Sequence, residues 1–167
     1  MFDNETSSNL QFAIRKAVTS DATALSKLAF RSKAYWGYDI EFMKRTRNEL
    51  TYDAGQIESN QYQFYVCENA GKPIGFYALQ FLDNGVAELD ALFVEKNFIG
   101  QGIGTVLVEH AKDIARRLNV VMIVIQGDPN AEEFYLSVGA VPAGYRESGS
   151  IPGRYLPVFN LAVDEES

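Results

Sequence analysis

The chain has 167 residues, which suffices for one domain with a sizeable core, and its 47% hydrophobic and 22% charged residues are ordinary globular composition. A net charge of −7 argues against general nucleic-acid binding, which requires a basic surface, and is compatible with a cationic substrate. The single cysteine, Cys67, excludes an internal disulfide and a cysteine-based zinc site, and its apolar neighbours predict a buried strand residue rather than a catalytic thiol.

The first part of the chain predicts a strand followed by two helices. Residues 1–10 form a polar tail that we expect to be disordered, and residues 11–18 form the first strand. Asp21 is the expected N-cap of a helix to about residue 33. The core stripe of that helix is Ala24, Leu25, Leu28 and Ala29. A second helix is predicted over residues 40–50, after the aromatic segment that contains Trp36 and Tyr38.

Three successive antiparallel strands are predicted next, over residues 63–68, 73–81 and 86–94. Gly71 lies in the first connection, and Asp83-Asn84-Gly85 is a hairpin signal in the second.

The strand over residues 86–94 carries two acids among apolar residues. Its period of two predicts one apolar face, and the members of that face are Ala87, Leu89, Ala91 and Phe93. Glu88 and Asp90 lie on the other face, about 7 Å apart along the strand. Because a buried charge is costly unless it is paired or functional, these acids are candidates for binding or catalysis. A face that is simply solvated is the alternative.

A glycine cluster follows this strand and opens a helix. Gly100, Gly102 and Gly104 allow backbone N–H groups to approach an anion at a helix N-terminus, which favours phosphate or pyrophosphate. A loop that only needs permissive backbone is the alternative. The absence of a lysine after Gly104 excludes a Walker loop, and the last glycine spacing makes a Rossmann oxidoreductase the weaker alternative. The apolar stripe of the helix is Ile103, Val106, Leu107, His110, Ala111, Ile114, Ala115 and Leu118, which makes His110 a core or rim histidine.

The remaining pattern completes one α+β, or mixed α/β, domain over residues 11–163, followed by a polar end at 164–167. Residues 120–125 predict a strand buried on both faces, and residues 130–138 predict a short helix closed by Gly139. Residues 140–147 and 155–163 predict a final hairpin. With no apolar run near the roughly 20 residues of a membrane span and no signal-peptide pattern, we expect a cytoplasmic protein without membrane or nucleic-acid partners.

Two separated segments resemble the GNAT acetyltransferase superfamily. The glycine cluster resembles motif A, Q/R-x-x-G-x-G/A, with Gly102 and Gly104 at its small positions and Ile99 in place of Gln or Arg. Residues 128–140 are similar to the family segment N-x-x-A-x-x-F-Y-x-x-x-G-F; the matching residues are Asn130, Phe134, Tyr135 and Gly139, with Ala140 replacing the last Phe. SIPGRYLP, residues 150–157, looks like the ending of many bacterial members. The resemblance implies the GNAT fold, a central mixed, mostly antiparallel sheet of six to seven strands flanked by about four helices.

The resemblance also implies an acetyl-CoA site without a metal. The strand backbone at residues 92–94 would pair with the pantetheine arm, and the amides of residues 101–105 would hold the pyrophosphate. Asn130 would bond the pantetheine arm or fix the loop before the helix. The implied cofactor-binding residues are Leu92, Phe93, Val94, Ile99, Gly100, Gln101, Gly102, Ile103, Gly104, Thr105, Asn130, Phe134 and Tyr135.

Acyl transfer to an amine requires an acceptor for the ammonium proton, a stabilised oxyanion and a proton for the leaving thiolate. Glu88 is the first candidate for the base; Asp90 could orient the amine or share this role, and two neighbouring carboxylates raise the pKa of one of them. Family resemblance implies Tyr135 as the general acid, with simple packing on the sheet as the alternative.

Three further residues are candidates for binding the acceptor. Trp36 and Tyr38 are expected over the acceptor side of the cleft, with core packing as the alternative, especially for Trp36. Arg154 could meet an anionic part of the acceptor or be an exposed loop arginine.

The sequence thus predicts an N-acetyltransferase that moves an acetyl group from acetyl-CoA to a small-molecule or peptide primary amine by direct attack. A non-catalytic acyl-CoA-binding or sensing module is the alternative. A homodimer is an option by family resemblance alone.

Overall fold

The structure, a computed structural model, describes residues 11–163. The expectations for residues 1–10 and 164–167 lie outside the described residues. Seven strands form one sheet in the order β1-β2-β3-β4-β5-β7-β6, and neighbouring strands are antiparallel except β4 and β5. The strands are β1 (Phe12–Lys16), β2 (Tyr62–Asn69), β3 (Lys72–Phe81), β4 (Val86–Val94), β5 (Met122–Gln126), β6 (Val141–Glu147) and β7 (Tyr155–Ala162). The helices are α1 (Ala22–Ala34), α2 (Ile40–Thr46), α3 (Ala54–Glu58), α4 (Ile103–Arg117) and α5 (Glu132–Ser137).

Helices cover both faces of the sheet and bury two apolar clusters. On one face, α4 buries Leu107 and Ala111 against strand residues such as Ile123. On the other face, Leu25 and Leu28 of α1 pack in a cluster with residues of β2, β3 and β4. Cys67 is fully buried in β2, as predicted, and burial, followed by the charge of Glu68, raises the pKa of its thiol to about 11.

The apolar spacing in α4 explains its burial, with two exceptions. Ile103, Leu107 and Ala111 are buried at intervals of four, as the helical period requires. Val106 and Leu118 are 37% and 47% exposed, so their predicted place in the stripe is wrong; they fall at its edges.

His110 is a rim residue of α4, as predicted. Its Nδ1 lies 2.7 Å from the hydroxyl of Tyr77, and its ring centroid lies 4.8 Å from that of Tyr65.

Two local features of the first helices differ from the prediction. Asp21 does not cap α1 through its side chain, because its carboxylate accepts hydrogen bonds from Arg15 at 2.8 Å and from the Val18 amide. Ala24 is exposed rather than part of the core stripe. The short helix α3 was not predicted, although Asp53 and Gln56 form a capping box that begins it.

The strand β5 is buried on one face only, contrary to the prediction. Ile123 and Ile125 are buried, whereas the alternating residues are half-buried, and Val121 before the strand is 64% exposed. The apolar cluster under α1 contains residues of β2, β3 and β4 but none of β5. The second face of β5 is therefore not covered by that cluster.

A bulge interrupts the pairing of β4 with β3. Ala78 pairs with Ala91, but the next residue, Leu79, pairs with Leu89. Asp90 is therefore the extra residue of β4, and such a bulge bends and twists its strand.

The bulge also reverses which side chains face which cluster. Ala87 and Leu89 are buried on the α4 face, whereas Ala91 belongs to the cluster under α1 and Phe93 packs against it. The predicted single face of these four residues is therefore wrong, because the extra residue shifts the alternation by one.

Candidate functional site

A cleft opens where the two parallel strands separate. β4 and β5 pair at three positions only, from Val86 opposite Met122 to Glu88 opposite Val124. Beyond Glu88 the bulge at Asp90 turns β4 away, and the gap forms a cleft of about 460 Å³. The predicted residues that line it are Trp36, Asp90, Leu92, Phe93, Val94, Ile99, Gly100, Gly102, Ile103, Gly104, Thr105, Asn130, Phe134 and Tyr135.

The β4 wall of the cleft presents free backbone groups. The Glu95 amide donates to the Ile74 carbonyl of β3 at 2.8 Å. Because the groups that face one neighbour alternate along an antiparallel strand, the N–H and C=O groups of Leu92 and Val94 face away from β3, into the cleft. Those of Phe93 face β3 instead. An extended ligand with its own amides can therefore pair with this edge as an added strand does.

The glycine loop presents the N-terminus of α4 to the same cleft. Gly100 and Gly102 have φ values of 85° and 87°, which favour glycine over any residue with a side chain. Gly102 is the N-cap and supplies no side chain to the first amides of α4, which leaves them available to an anion. Gly104 lets α4 approach α5, because a Cβ there would lie 3.2 Å from the Phe134 ring.

The predicted residue Gln101 does not line the cleft with its side chain. Its amide nitrogen instead donates to the Asn97 carbonyl at 3.3 Å.

Tyr135 both packs on the sheet and reaches the cleft. Its ring lies 5.6 Å from that of Phe159, and a Cβ added at Gly127 would lie 2.9 Å from it. Burial, followed by the charge of Asp128, raises the pKa of Tyr135, so the phenol stays protonated. Within residues 11–163 no solvent-shielded side-chain nitrogen or oxygen lacks a hydrogen-bond partner. The Tyr135 hydroxyl has no hydrogen-bond partner within residues 11–163, so it is not shielded from solvent. Because Tyr135 lines the cleft, its hydroxyl opens onto the cleft.

The two acids of β4 occupy different positions. Glu88 lies outside the cleft wall, and its carboxylate accepts a hydrogen bond from Arg146 at 3.1 Å. The same guanidinium contacts Gln126, also at 3.1 Å. Asp90 lines the cleft, and desolvation, followed by the charges of Glu88 and Glu49, raises the pKa of its carboxyl. The sequence-based expectation of one raised pKa in this pair thus applies to Asp90.

A hydrogen-bonded network at the opposite wall was missed by the sequence analysis. Asp128 accepts from the Lys33 ammonium at 2.7 Å, from the Tyr38 hydroxyl at 2.8 Å and from the Asn130 amide at 2.9 Å. Burial alone raises the pKa of Asp128, but the charge and hydrogen bond of Lys33, with the hydrogen bonds from the Asn130 backbone amide and the Tyr38 hydroxyl, together outweigh it and lower that pKa. Asn130 also donates to Tyr38, so this network fixes the loop before α5 against the end of α1.

The alternatives considered for Arg154, an exposed loop arginine, and for Trp36, packing in the core, do not describe their positions in the structure. Arg154 is half-buried, donates to the Tyr38 hydroxyl at 3.0 Å and lies 4.9 Å from the Phe42 ring, so it is not a solvated loop arginine. Trp36 is 41% exposed at the cleft wall rather than buried in the core.

The spacing of the second family segment could have identified Asp128. The pattern N-x-x-A-x-x-F-Y puts its first residue six positions before the Phe, and here that position is Asp128. Asn130 lies four positions before Phe134, so its match to the pattern was wrong in register.

Comparison with known proteins agrees with this geometry. The model of the acetyltransferase (GNAT) family matches residues 28–140. An uncharacterized N-acetyltransferase of Methanocaldococcus jannaschii is 33% identical over 138 residues, which cover 77% of this chain and 60% of that protein. The peptidyl-lysine N-acetyltransferase YjaB of Escherichia coli is 35% identical over 91 residues, which cover 54% of this chain and 56% of that protein. The matched part of the chain thus spans 60% or less of the length of these curated relatives.

A solved structure shares the fold. The PaiA N-acetyltransferase of Thermoplasma acidophilum, crystallised in complex with coenzyme A, superposes with a TM-score of 0.70 at 16% identity, covering 92% of this chain and 99% of that one. Among residues 11–163, no helix has the length and apolar character needed to cross a bilayer.

Proposed function

The chain belongs to the acetyltransferase (GNAT) family, and from that premise we propose that it is an N-acetyltransferase that uses acetyl-CoA and a primary amine. The observation that carries the proposal is the splayed cleft between β4 and β5, with free backbone groups on one wall and an uncapped helix N-terminus at one end. The continuous sheet from β1 to β7 supports one domain over residues 11–163. Homodimerisation stays a prediction.

The cleft suits acetyl-CoA by its chemistry. The backbone groups of Leu92 and Val94 can pair with the amides of a pantetheine arm. The first amides of α4, reached past the bare backbone of Gly100 and Gly102, can hold a pyrophosphate. When bound, acetyl-CoA supplies the thioester from which the acetyl group is transferred.

We assign the proton acceptor for the amine to Glu88, which lies outside the cleft wall and would take the proton through a water. An amine with a pKa near 10 is almost wholly protonated at neutral pH, so a carboxylate or a water beside it must take the proton. Arg146 fixes the orientation of the Glu88 carboxylate, and Asp90 at the bulge can orient the amine or share the proton. An amine acceptor is also consistent with the peptidyl-lysine relative.

Tyr135 is the proposed general acid for the leaving sulfur. Its protonated phenol opens onto the cleft and can donate to a thiolate, whose usual pKa is near 8.5. Because no cysteine or serine with an adjacent base marks this cleft among its lining residues, attack by the amine is direct.

The test is release of free thiol from acetyl-CoA with a panel of primary amines. We expect turnover with at least one amine, and we expect Tyr135→Phe to lower kcat roughly a hundredfold, the lower end for general acid catalysis, while acetyl-CoA still binds. Tyr62→Phe, which removes a half-buried hydroxyl on β2, is the matched control and should retain activity. Binding of acetyl-CoA without transfer to any amine would instead favour a non-catalytic sensing module.

A further inference from the structure

The position of the Tyr135 phenol depends on packing rather than on a hydrogen bond. Its hydroxyl has no hydrogen-bond partner within residues 11–163, so no polar contact of its own side chain fixes it. The ring lies 5.6 Å from that of Phe159, and a Cβ added at Gly127 would lie 2.9 Å from it. Because Gly127 has no side chain that could adjust, a movement of its backbone is transmitted to the Tyr135 ring.

The residue after Gly127 ties this backbone to the first helix. Asp128 accepts a hydrogen bond from the Lys33 ammonium at 2.7 Å, and the side chains of Lys33 and Asp128 are 15% and 12% exposed. A charge-assisted hydrogen bond that is partly shielded from water is stronger than one at the surface. Consecutive Cα atoms lie about 3.8 Å apart, so a displacement of Asp128 also moves the backbone of Gly127.

Both ends of this tie are attached to packed elements. Lys33 lies in the last turn of α1, and its ammonium lies 5.3 Å and 5.9 Å from the ring centroids of Tyr38 and Phe42. Those two rings stack on each other at 4.0 Å. The Gly127 amide donates to the Pro157 carbonyl of β7 at 2.9 Å. The backbone beside the Tyr135 ring is therefore anchored to β7 on one side and to α1 on the other.

We propose that Lys33 is a positioning residue for the general acid. Through Asp128 and Gly127 it holds the Tyr135 phenol where the hydroxyl meets the leaving sulfur. The inference rests on the proposed function. As the amine forms the new C–N bond and the C–S bond breaks, the electron pair stays on the sulfur, which takes the phenolic proton, and the phenolate regains a proton from water. Lys33 exchanges no proton in this step and acts through the place of the phenol.

A double-mutant cycle on kcat, with acetyl-CoA and amine both saturating, tests whether Lys33 acts through Tyr135. A misplacement of about 1 Å costs roughly a hundredfold in rate, so a shift of about half that distance in Lys33→Met should lower kcat roughly tenfold. In the Tyr135→Phe background, which lacks the phenolic proton, Lys33→Met should lower kcat no further, because residues that act as a unit are not additive. The same loss in both backgrounds, or no loss in Lys33→Met, would overturn the inference.

Three further variants complete the comparison. Lys33→Arg keeps a cation with N–H donors at this position and should recover most of the kcat lost in Lys33→Met. Tyr38→Phe is the second test if Lys33→Met does not fold. It removes only the hydroxyl that donates to Asp128 at 2.8 Å, and it should lower kcat severalfold in the wild type but not in Tyr135→Phe. Lys27→Met is the matched control, because Lys27 is exposed on the same helix and should leave kcat unchanged.

A readout without turnover separates this inference from the proposed function. In crystal structures of the wild type and the variants, we expect the Tyr135 hydroxyl to move by about 0.5 Å or more in Lys33→Met and to stay in place in Lys27→Met. An unmoved hydroxyl in Lys33→Met would overturn the inference. Full kcat in Tyr135→Phe would instead refute the general-acid assignment, and a displaced ring in Lys33→Met would still support the positioning of that ring by Lys33.

Discussion

Gly127 packs against the proposed general acid so closely that one added methyl group should move it. A Cβ at Gly127 would lie 2.9 Å and 3.1 Å from two atoms of the Tyr135 ring, and 3.3 Å from Phe159. The backbone there is not left-handed, so Gly127→Ala introduces steric overlap rather than dihedral strain. To restore an ordinary contact of 3.4 Å, the ring must shift by about 0.5 Å.

This overlap should lower both stability and turnover. Overpacking a tight core costs about 1–3 kcal/mol, and 2 kcal/mol lowers the Tm of a domain of this size by roughly 4–8 °C. A 1 Å misplacement of a reacting group costs about a hundredfold in rate, so a shift of half that distance should reduce kcat roughly tenfold.

Differential scanning calorimetry and the thiol-release assay check these two effects. Gly149→Ala is the control, because the added methyl group meets no atom within 4 Å and the backbone is again not left-handed. If Gly127→Ala kept the Tm and kcat of Gly149→Ala, the packing of Tyr135 described above would be refuted.

Three further predictions concern single side chains. Glu88→Gln should lower acetyl transfer by roughly a hundredfold or more in steady-state assays, as loss of a general base does, and unchanged transfer would refute its role. Burial lowers the pKa of His110 below its usual 6.5, so the unfolded chain takes up the proton first and the Tm should fall as pH drops through 6.5. His110→Gln should reduce the dependence of the Tm on pH in that range. Lys33→Met should leave the half-buried Asp128 carboxylate without its cationic partner and lower the free energy of unfolding at pH 7 by about 1–3 kcal/mol in urea titrations, whereas Lys27→Met, exposed on the same helix, should not.

The sequence predicted most elements of the fold, because local signals encode them. The hairpin turns at Ala70-Gly71 and Asn84-Gly85 have the positive φ values that such pairs favour, and the strands on either side of each turn were identified. The glycine cluster before α4 likewise marked the position of the cleft.

The bulge at Asp90 could not be read from the pattern. The alternate residues of β4 are all apolar: Ala87, Leu89, Ala91 and Phe93. The apolar alternation in the sequence therefore continues across the point where the structure reverses which face these side chains occupy. Only the register against β3 reveals the extra residue, and register between strands depends on pairing that one strand does not encode.

The hydrogen-bonded wall opposite β4 could not be predicted from the sequence, because long-range contacts form it. Lys33 and Asp128 are 95 residues apart in sequence, and nothing local links them. Asp128 itself could have been predicted from the spacing of the family segment. The helix α3 could likewise have been predicted from the capping box of Asp53 and Gln56. The contact of Arg154 with Tyr38 required the folded loop between β6 and β7.

The most direct test of the central claim is calorimetric titration of the protein with acetyl-CoA, with Gly102→Val and Gly71→Val as paired variants. Both glycines have left-handed φ values and open space around them, so each valine introduces a similar strain, but only Gly102 lies at the cleft. With both variants folded by circular dichroism, we expect acetyl-CoA to bind the wild type and Gly71→Val and not Gly102→Val. Absence of binding to the wild type, or equal binding to all three proteins, would contradict the assignment of this cleft to acetyl-CoA.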